Sequence, residues 1–287
     1  PKVKVMVIKD IKNDDDSKAW AEYTKEFLGY IPDIVFTSED YGHAYCKFLG
    51  CKHVLVDQKR ITVPISATKI RENALQEWNY IYPCVRAHFA KRVCILGAES
   101  TGTTTLAKSL AKHYQTNWVP EYGRIYSEGK LTAGDYFWQS SEFEHITKMQ
   151  NQMEDNLARS CNKILICDTN SLATEVWHNR YMGFYSKAVK KQTQNRHYDL
   201  YIITADEIPF VQDGTRDGEH IRHQMHLEFI KKLTQEEKPF IIVSGSREER
   251  LDMAIEYCDE IMNLQPIKHK ANFINNITNK YVNKKTS

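Results

Sequence analysis

The chain has 287 residues, of which 41% are hydrophobic, and its 39 basic residues nearly balance 37 acidic ones. These values predict a globular protein of about two domains, and they disfavour a nucleic-acid-binding protein, which needs a concentrated basic patch. No apolar run approaches the roughly 20 residues of a membrane-spanning helix, and no secretory signal is evident, so we expect a cytoplasmic protein that binds neither nucleic acids nor membranes.

The first part of the chain alternates short apolar runs with helical segments. The runs predict strands at residues 3–8, 34–36 and 53–56, and a helix at residues 72–80 that is entered through Ser66 and Thr68. Strands that alternate with helices indicate a parallel, doubly wound sheet. Because the chain begins at Pro1 and opens directly on a strand-like run, we expect that this domain is partial and lacks an N-terminal segment.

The pattern starts again near residues 85–91, which predicts a first domain at residues 1–88 and a second at residues 89–287. The second part has further apolar runs and periodic segments of the same two kinds. They predict strands at residues 92–96, 118–119, 163–167, 200–204 and 240–244, and helices at residues 104–114, 143–159, 221–233 and 247–257. The predicted fold class is therefore α/β, with two doubly wound parallel-sheet domains.

A phosphate-binding loop (P-loop) is predicted between the strand at residues 92–96 and the helix that follows. The sequence G-A-E-S-T-G-T-T begins at Gly97 and has the strand before it and the helix after it that the motif requires. Its glycines let backbone N–H groups surround phosphate oxygens, and the helix start adds unpaired N–H groups. The candidate ATP-binding residues are Gly97, Ser100, Gly102, Thr103, Thr104 and Thr105.

Thr103 stands where a P-loop usually has lysine, whose ammonium neutralises phosphate charge. A nucleotide site that binds without turnover is one interpretation of this difference, and a strand-to-helix turn without a ligand is another. Lys108 is expected to be a solvated lysine on the polar face of the helix. Arginines from a mobile lid are better candidates for a replacement cation.

Two carboxylates follow predicted strands, where ligands of open α/β sheets bind. Asp168 ends the strand at residues 163–167, and Glu121 follows the strand at residues 118–119. Either can serve as a catalytic base, and Asp168 together with Thr104 can bind Mg²⁺. For Asp168 the alternative is a helix N-cap.

Tyr122 and Arg124 follow Glu121 directly and are candidate substrate-binding residues, as an aromatic ring and a phosphate-binding cation. A polar, glycine-containing stretch contains Asp213 and Arg216. A lid there would bring Arg216 onto the phosphates as a catalytic residue and Asp213 onto the substrate. The alternative for both segments is an ordinary surface loop or ion pair.

A second anion site is predicted in the first domain. Ser66 and Thr68 offer hydroxyls at a helix start, and Arg71 lies in its first turn. Hydroxyls, free N–H groups and a guanidinium suit a triphosphate. A simple helix cap is the alternative.

The motifs resemble those of the NadR family in kind and in order. Residues 65–71 (I-S-A-T-K-I-R) are similar to the I-S-x-T-x-I-R signature of nicotinamide-nucleotide adenylyltransferases. The remaining similar segments are residues 32–39 and 54–60 of the first domain, and residues 97–105, 121–124, 168–169 and 213–216 of the second. The resemblance runs from about residue 20 to residue 235. It implies a partial Rossmann-like nucleotidyltransferase followed by a P-loop nucleoside-kinase-like domain.

The resemblance also implies two reactions of NAD biosynthesis. Ribosylnicotinamide and ATP would give nicotinamide mononucleotide (NMN) and ADP, with Mg²⁺ as cofactor, and NMN with a second ATP would give NAD and pyrophosphate. Ser66, Thr68 and Arg71 would bind ATP for the second reaction. The family's H-x-G-H element is absent, however, and Asn170 replaces a second carboxylate after Asp168. We therefore expect impaired adenylyl transfer and a weakened kinase.

Two other functions stay open on the sequence alone. One is a nucleotide-binding regulatory module with little turnover, which the threonine at position 103 favours. The other is a P-loop kinase for a different small metabolite. A homo-oligomer is possible in each case.

Overall fold

A computed structural model describes residues 3–13, 15–135, 137–212 and 218–262. The chain divides into two compact units, Pro1–Arg71 and Glu72–Ser287. The sequence pattern predicted the boundary further along the chain, between residues 88 and 89. Within the second unit, Leu75, Trp78 and Ile81 are buried. In the described part of the chain, no helix is both long and apolar enough to cross a membrane.

The first unit contains a small parallel sheet with helices beside it. Its elements are helix α1 (Ser17–Leu28), strand β1 (Ile34–Thr37), helix α2 (Gly42–Leu49), strand β2 (Lys52–Leu55) and helix α3 (Ala67–Glu72), which ends at the unit boundary. Strands β1 and β2 are parallel, with Ile34 opposite Lys52. Helix α1 packs on α2, where Ala21, Cys46 and Leu49 are buried.

Two predictions for the first unit are wrong. Residues 3–8 form no strand; Val3, Val5 and Val7 are exposed, and the segment pairs with no strand among the described residues. The helix predicted at residues 72–80 instead begins at Ala67, because the Ser66 hydroxyl accepts the N–H of Lys69 and caps the helix there. A separate 3₁₀ helix follows at Trp78–Tyr80.

The second unit is built on a five-stranded parallel sheet. Its strands are β3 (Lys91–Leu96), β4 (Trp118–Val119), β5 (Ile164–Asp168), β6 (Leu200–Thr204) and β7 (Phe240–Val243). Its α-helices are α4 (Pro83–Phe89), α5 (Thr103–His113), α6 (Tyr122–Thr132), α7 (Ser140–Leu157), α8 (Ser171–Met182), α9 (Lys187–Thr193), α10 (Arg222–Gln235) and α11 (Arg247–Met262). A second 3₁₀ helix lies at Glu219–Ile221. The α/β class with parallel sheets that the sequence predicted is confirmed.

The sheet is covered on both faces, which explains why its central strands are continuous apolar runs. Every residue of β5 and β6 is buried. Apolar side chains of α5 and α11 pack against one face of the sheet. Side chains alternate along β3, so Cys94 points to the other face of the sheet, away from α5 and α11. Helix α7 contacts β4 and β5 on this second face.

The strand order is β4-β5-β3-β6-β7. The connection from β3 leads past β5 to β4, whereas the connection from β5 leads past β3 to β6. Adjacent strands whose connections leave in opposite directions open a crevice at their carboxyl ends, where ligands of open α/β sheets bind. The P-loop and Asp168 lie at this crevice.

Candidate active site

The P-loop turns sharply between β3 and α5. Gly102 has φ +85° and Ser100 has φ +60°, both in the left-handed region that favours glycine. At Gly97 a side chain has no space, because a Cβ would lie 2.1 Å from Thr204 Oγ1 and 2.4 Å from Thr101 Oγ1. The two glycines therefore have different roles: Gly102 permits the turn, and Gly97 permits close approach of the neighbouring strand.

Two buried arginines hold the P-loop by its carbonyl groups. Arg222 Nε donates to Glu99 O at 3.0 Å, and Arg250 Nη1 donates to Thr101 O at 2.9 Å. They are 5% and 4% exposed, respectively. Hydrogen bonds from charged donors are stronger than neutral ones, so these contacts fix the loop from α10 and α11. Sequence reasoning did not predict either role, because both helices lie more than 100 residues further along the chain.

The start of α5 is joined to the end of β5. Thr104 Oγ1 donates to Asp168 Oδ2 at 2.6 Å, while Asp168 Oδ1 is buried and has no hydrogen-bond partner among the described residues. Burial raises the pKa of Asp168, and the hydroxyls of Thr104 and Thr103 oppose that rise. The helix-cap alternative fails, because the N-cap of α8 is Asn170, whose Oδ1 accepts the N–H groups of residues 172 and 173.

Glu121 is the second carboxylate at the crevice. It lies between β4 and α6. Burial, and then the nearby charge of Asp168, raise the pKa of Glu121 to about 8, although the Arg124 guanidinium opposes the shift. A carboxyl group with a pKa near neutrality is suited to proton transfer.

The two carboxylates and the P-loop line one cavity of about 540 Å³. This volume lies within the range of small-molecule sites. The predicted site residues that line it are Gly97, Ser100, Gly102, Thr103, Thr104, Thr105, Glu121, Arg124 and Asp168. The structure thus brings together residues from the ends of β3, β4 and β5.

Four aromatic side chains with neighbouring rings also line the cavity, and we call them the aromatic wall. It consists of Trp138, Phe143, Trp177 and Tyr181. The Trp138 ring lies 5.0 Å from Phe143 and 5.4 Å from Tyr181 between ring centroids. Phe143 comes from α7, and Trp177 and Tyr181 come from α8. These residues are distant in sequence, so the aromatic wall could be recognised only from the fold. Phe137, next to Trp138 in the chain, is exposed.

A family model described as an AAA domain matches residues 92–250, which is more than half of the chain. This chain belongs to that AAA-domain family. It is also similar to the trifunctional NAD biosynthesis/regulator protein NadR of Escherichia coli (strain K12), with 31% identity over 249 residues. The matched region is 85% of this chain but only 60% of that relative. The resemblance to NadR that the motifs predicted is confirmed.

Solved NadR structures share the fold. A crystal structure of NadR in complex with NR matches with a TM-score of 0.67 and 23% identity, over 88% of this chain and 77% of that chain. A NadR structure in complex with NAD and AMP-PNP matches with a TM-score of 0.64 and 20% identity, over 91% of this chain and 77% of that chain. At these identities the likeness is one of fold.

One predicted site residue, Tyr122, is absent from the cavity lining. Its hydroxyl lies 3.1 Å from His145 Nε2 and its N–H donates to Gln150 Oε1. Asp213 and Arg216 lie outside the described residues.

The interpretation of Lys108 as only a solvated lysine is incomplete. The side chain is exposed, yet it lines the cavity, with Nζ 5.0 Å from the Trp118 ring centroid. Its charge also opposes the raised pKa of Asp168. Lys108 is four residues beyond Thr104, about one helical turn, and so shares the face of that residue.

The predicted anion site of the first unit is a capped helix start. Ser66 Oγ accepts the N–H of Lys69 at 3.0 Å, and Arg71 Nη2 lies 3.3 Å from Thr68 Oγ1. Helix α3 has six residues and none is buried. Its hydroxyls and guanidinium lie close together on the surface.

Proposed function

We propose that this chain acts in NAD biosynthesis by transferring the γ-phosphoryl group of ATP to the 5′-hydroxyl of ribosylnicotinamide, giving NMN and ADP. One observation supports this most: a single cavity is lined by a P-loop, two carboxylates and an aromatic wall. These are the parts that a nucleoside kinase needs, since phosphoryl transfer depends on positioning and charge stabilisation.

The ATP phosphates would bind at the P-loop. The N–H groups at the start of α5 and the turn at Gly102 form an anion site. Arg222 and Arg250 hold the loop by its carbonyl groups. The charge of Arg250 is paired with Glu207 at 2.6 Å, so Arg222 is the one of the two that would add positive charge close to the loop. Lys108 lines the same cavity. Arg222 and Lys108 would therefore supply part of the positive charge that a lysine at position 103 would otherwise provide.

Mg²⁺ would fit beside Thr104 and Asp168. Asp168 Oδ1 is a buried oxygen without a hydrogen-bond partner among the described residues, and oxygen ligands suit Mg²⁺. No group of three or more metal-binding side chains occurs in the described part of the chain. This fits an ion that is bound through one carboxylate plus substrate phosphates, where it would neutralise charge on the β- and γ-phosphate oxygens.

The nucleoside would bind between Glu121 and the aromatic wall. Glu121 would accept the proton of the 5′-hydroxyl as it attacks the phosphorus atom, because its pKa of about 8 lets it take up a proton near neutral pH. Trp138, Tyr181 and their neighbours would hold the flat pyridine ring, whose positive charge favours an aromatic surface. Arg124 lines the cavity close to both carboxylates and would orient the reacting phosphate.

We also propose the roles that the sequence suggested for Asp213 and Arg216, which lie outside the described residues: Asp213 would bind the substrate and Arg216 would act on the phosphates. The first unit would bind a second ATP through Ser66, Thr68 and Arg71 for adenylyl transfer to NMN. That step is expected to be weak in this chain, because no H-x-G-H element is present in it.

The test is product formation from ribosylnicotinamide and Mg-ATP by the purified chain. Chromatography that resolves NMN should show NMN and ADP appearing in equal amounts. No NMN at high protein concentration, with the fold intact by circular dichroism, would reject the kinase. Phosphorylation of a different nucleoside only would redirect the proposal to another substrate.

A second candidate function is nucleotide binding without turnover, and the threonine at position 103 favours it. It predicts tight ATP binding by calorimetry together with negligible ADP release. ATP consumption measured with and without ribosylnicotinamide distinguishes the two functions. A kinase should consume ATP only when this acceptor is present, whereas a regulatory nucleotide site should consume none in either case.

A further inference from the structure

Gln150 is a buried polar residue of the cavity whose hydrogen bonding is incomplete. It is 1% exposed and lies on α7. Its Oε1 accepts the N–H of Tyr122 at 2.9 Å, which fixes the orientation of the amide. Its Nε2 is buried and has no hydrogen-bond partner among the residues that the structure describes. Because buried donors are nearly always paired in folded proteins, this amide group calls for a partner.

The position of Gln150 indicates where that partner binds. Phe143, Ile146 and Gln150 all line the cavity, and their spacing of three and four residues places them on one face of α7. Phe143 belongs to the aromatic wall, whereas Gln150 lies at the other end. Seven residues of helix separate them, a rise of about 10 Å. The cavity therefore has an aromatic end and a polar end along α7.

Gln150 lies at the end that contains Glu121. Its acceptor contact is with the residue directly after Glu121. A Cβ placed on Gly123 would lie 3.9 Å from Glu121 Oε1 and 3.5 Å from Ile146 Cγ2, so this carboxylate lies beside the α7 face. The polar end thus combines a carboxylate acceptor with an amide donor, and adjacent sugar hydroxyls require both kinds of group.

We infer that Gln150 makes this site prefer ribose acceptors, by donating a hydrogen bond from Nε2 to a secondary hydroxyl oxygen of the sugar. The inference rests on the proposed nucleoside kinase function and names a residue that determines substrate specificity within it. A site that hydrogen-bonds a substrate hydroxyl rejects the analogue that lacks it, because its buried polar group is then left unpaired.

The experiment compares ribosylnicotinamide with its 2′-deoxy and 3′-deoxy analogues, in both calorimetric binding and phosphorylation. The wild-type protein should discriminate against at least one deoxy analogue by roughly tenfold in kcat/KM. Gln150→Met should remove that preference, through a loss of roughly tenfold on the ribosyl substrate and little change on the discriminated analogue. Gln152→Met is the matched control, because Gln152 lies on the same helix but is exposed.

Gln150→Glu separates recognition from structure. It keeps the oxygen that accepts from Tyr122 and exchanges the amide nitrogen for an oxygen, so it tests the donor if Gln150→Met does not fold. A purely structural role would lower kcat/KM for all three acceptors by the same factor, and that result overturns the inference. An unchanged preference in both variants overturns it as well.

The outcome for the kinase proposal is read separately. If the wild-type protein phosphorylates none of the three nucleosides, the proposed function fails, and the ratio of the binding constants still decides the role of Gln150. If phosphorylation occurs and the preference survives in the variants, only the role of Gln150 fails. A wild-type protein that binds all three nucleosides equally also overturns the inference.

Discussion

Two helix starts were predicted to bind phosphate, and the structure shows how different they are. Helix α5 has eleven residues, buries Leu106, Ala107, Leu110 and Ala111 and follows the largely buried strand β3. Helix α3 has six residues, buries none, and its Ser66 hydroxyl is already used as a cap. The start of α5 lines a cavity of about 540 Å³. A helix start with suitable side chains is therefore a strong candidate for a nucleotide-binding site only where neighbouring strand ends add carboxylates and a cavity lined by aromatic side chains.

The largest expected effect on activity comes from substituting Asp168, the carboxylate that β5 adds to the start of α5. Asp168→Asn removes the charge that pairs with Thr104 Oγ1. Assays of NMN formation should show a loss of roughly 10²- to 10⁴-fold in kcat, the range for a lost catalytic group. Asp252→Asn, at an exposed position of α11, should change little. A loss smaller than about threefold would remove Asp168 from the mechanism.

Glu121→Gln tests the other carboxylate of the α5 site through the pH dependence of kcat/KM. In the wild-type protein, kcat/KM should rise with pH until about 8, because Glu121 must lose its proton before it can accept one. The variant should lose this ionisation from its pH profile and roughly 10²-fold or more of its activity. An unchanged profile in the variant would assign the ionisation to another group.

The same substitution has a consequence for stability. A carboxyl group with a raised pKa holds its proton more tightly in the folded state, so its contribution to stability is complete below the unfolded-state pKa. That contribution is lost as the pH rises through about 8. Thermal melts above this pH should therefore show Glu121→Gln to be more stable than the wild type. Glu248→Gln, at an exposed position, should melt like the wild type.

A smaller effect is expected from restoring the usual P-loop lysine. Thr103→Lys should raise kcat for NMN formation by roughly tenfold, since the ammonium adds charge stabilisation in the transition state. His113→Lys adds the same charge at the far, exposed end of α5 and should have no effect. If Thr103→Lys lowers kcat, the cations already in place are sufficient and the added side chain obstructs the site.

The smallest effect on phosphorylation is expected in the first unit. Arg71→Ala removes the guanidinium beside Thr68 and should leave NMN formation unchanged, within about twofold. It should weaken only a second, low-affinity ATP site in calorimetry, because a surface contact of this kind contributes about 1 kcal/mol or less. Loss of NMN formation in this variant would show that the two helix starts do not act independently.

The sequence predicted the parts of the site that are encoded locally. The P-loop, Asp168 and Glu121 each lie at the end of an apolar strand or within two residues of it, so the strand and the chemical groups could be recognised together. The aromatic side chains of α7 and α8, Gln150, Arg222 and Arg250 could not be predicted in this way. They reach the site only through the packing of helices that are distant in sequence, and helical periodicity alone does not distinguish a face that lines a cavity from one that lies in the core.

The predicted strand at residues 3–8 shows the opposite error. Its apolar composition suits a strand, but backbone hydrogen bonds require a neighbouring strand, and none pairs with it among the described residues. Composition indicates a preference for extended structure, and pairing decides whether a strand forms.

Formation of NMN from ribosylnicotinamide and Mg-ATP, measured side by side for the wild-type protein and Asp168→Asn, tests the central claim most directly. The account predicts NMN and ADP in equal amounts with the wild type and almost none with the variant, while circular dichroism shows that both proteins are folded. NMN formation at equal rates in both, or in neither, would contradict it.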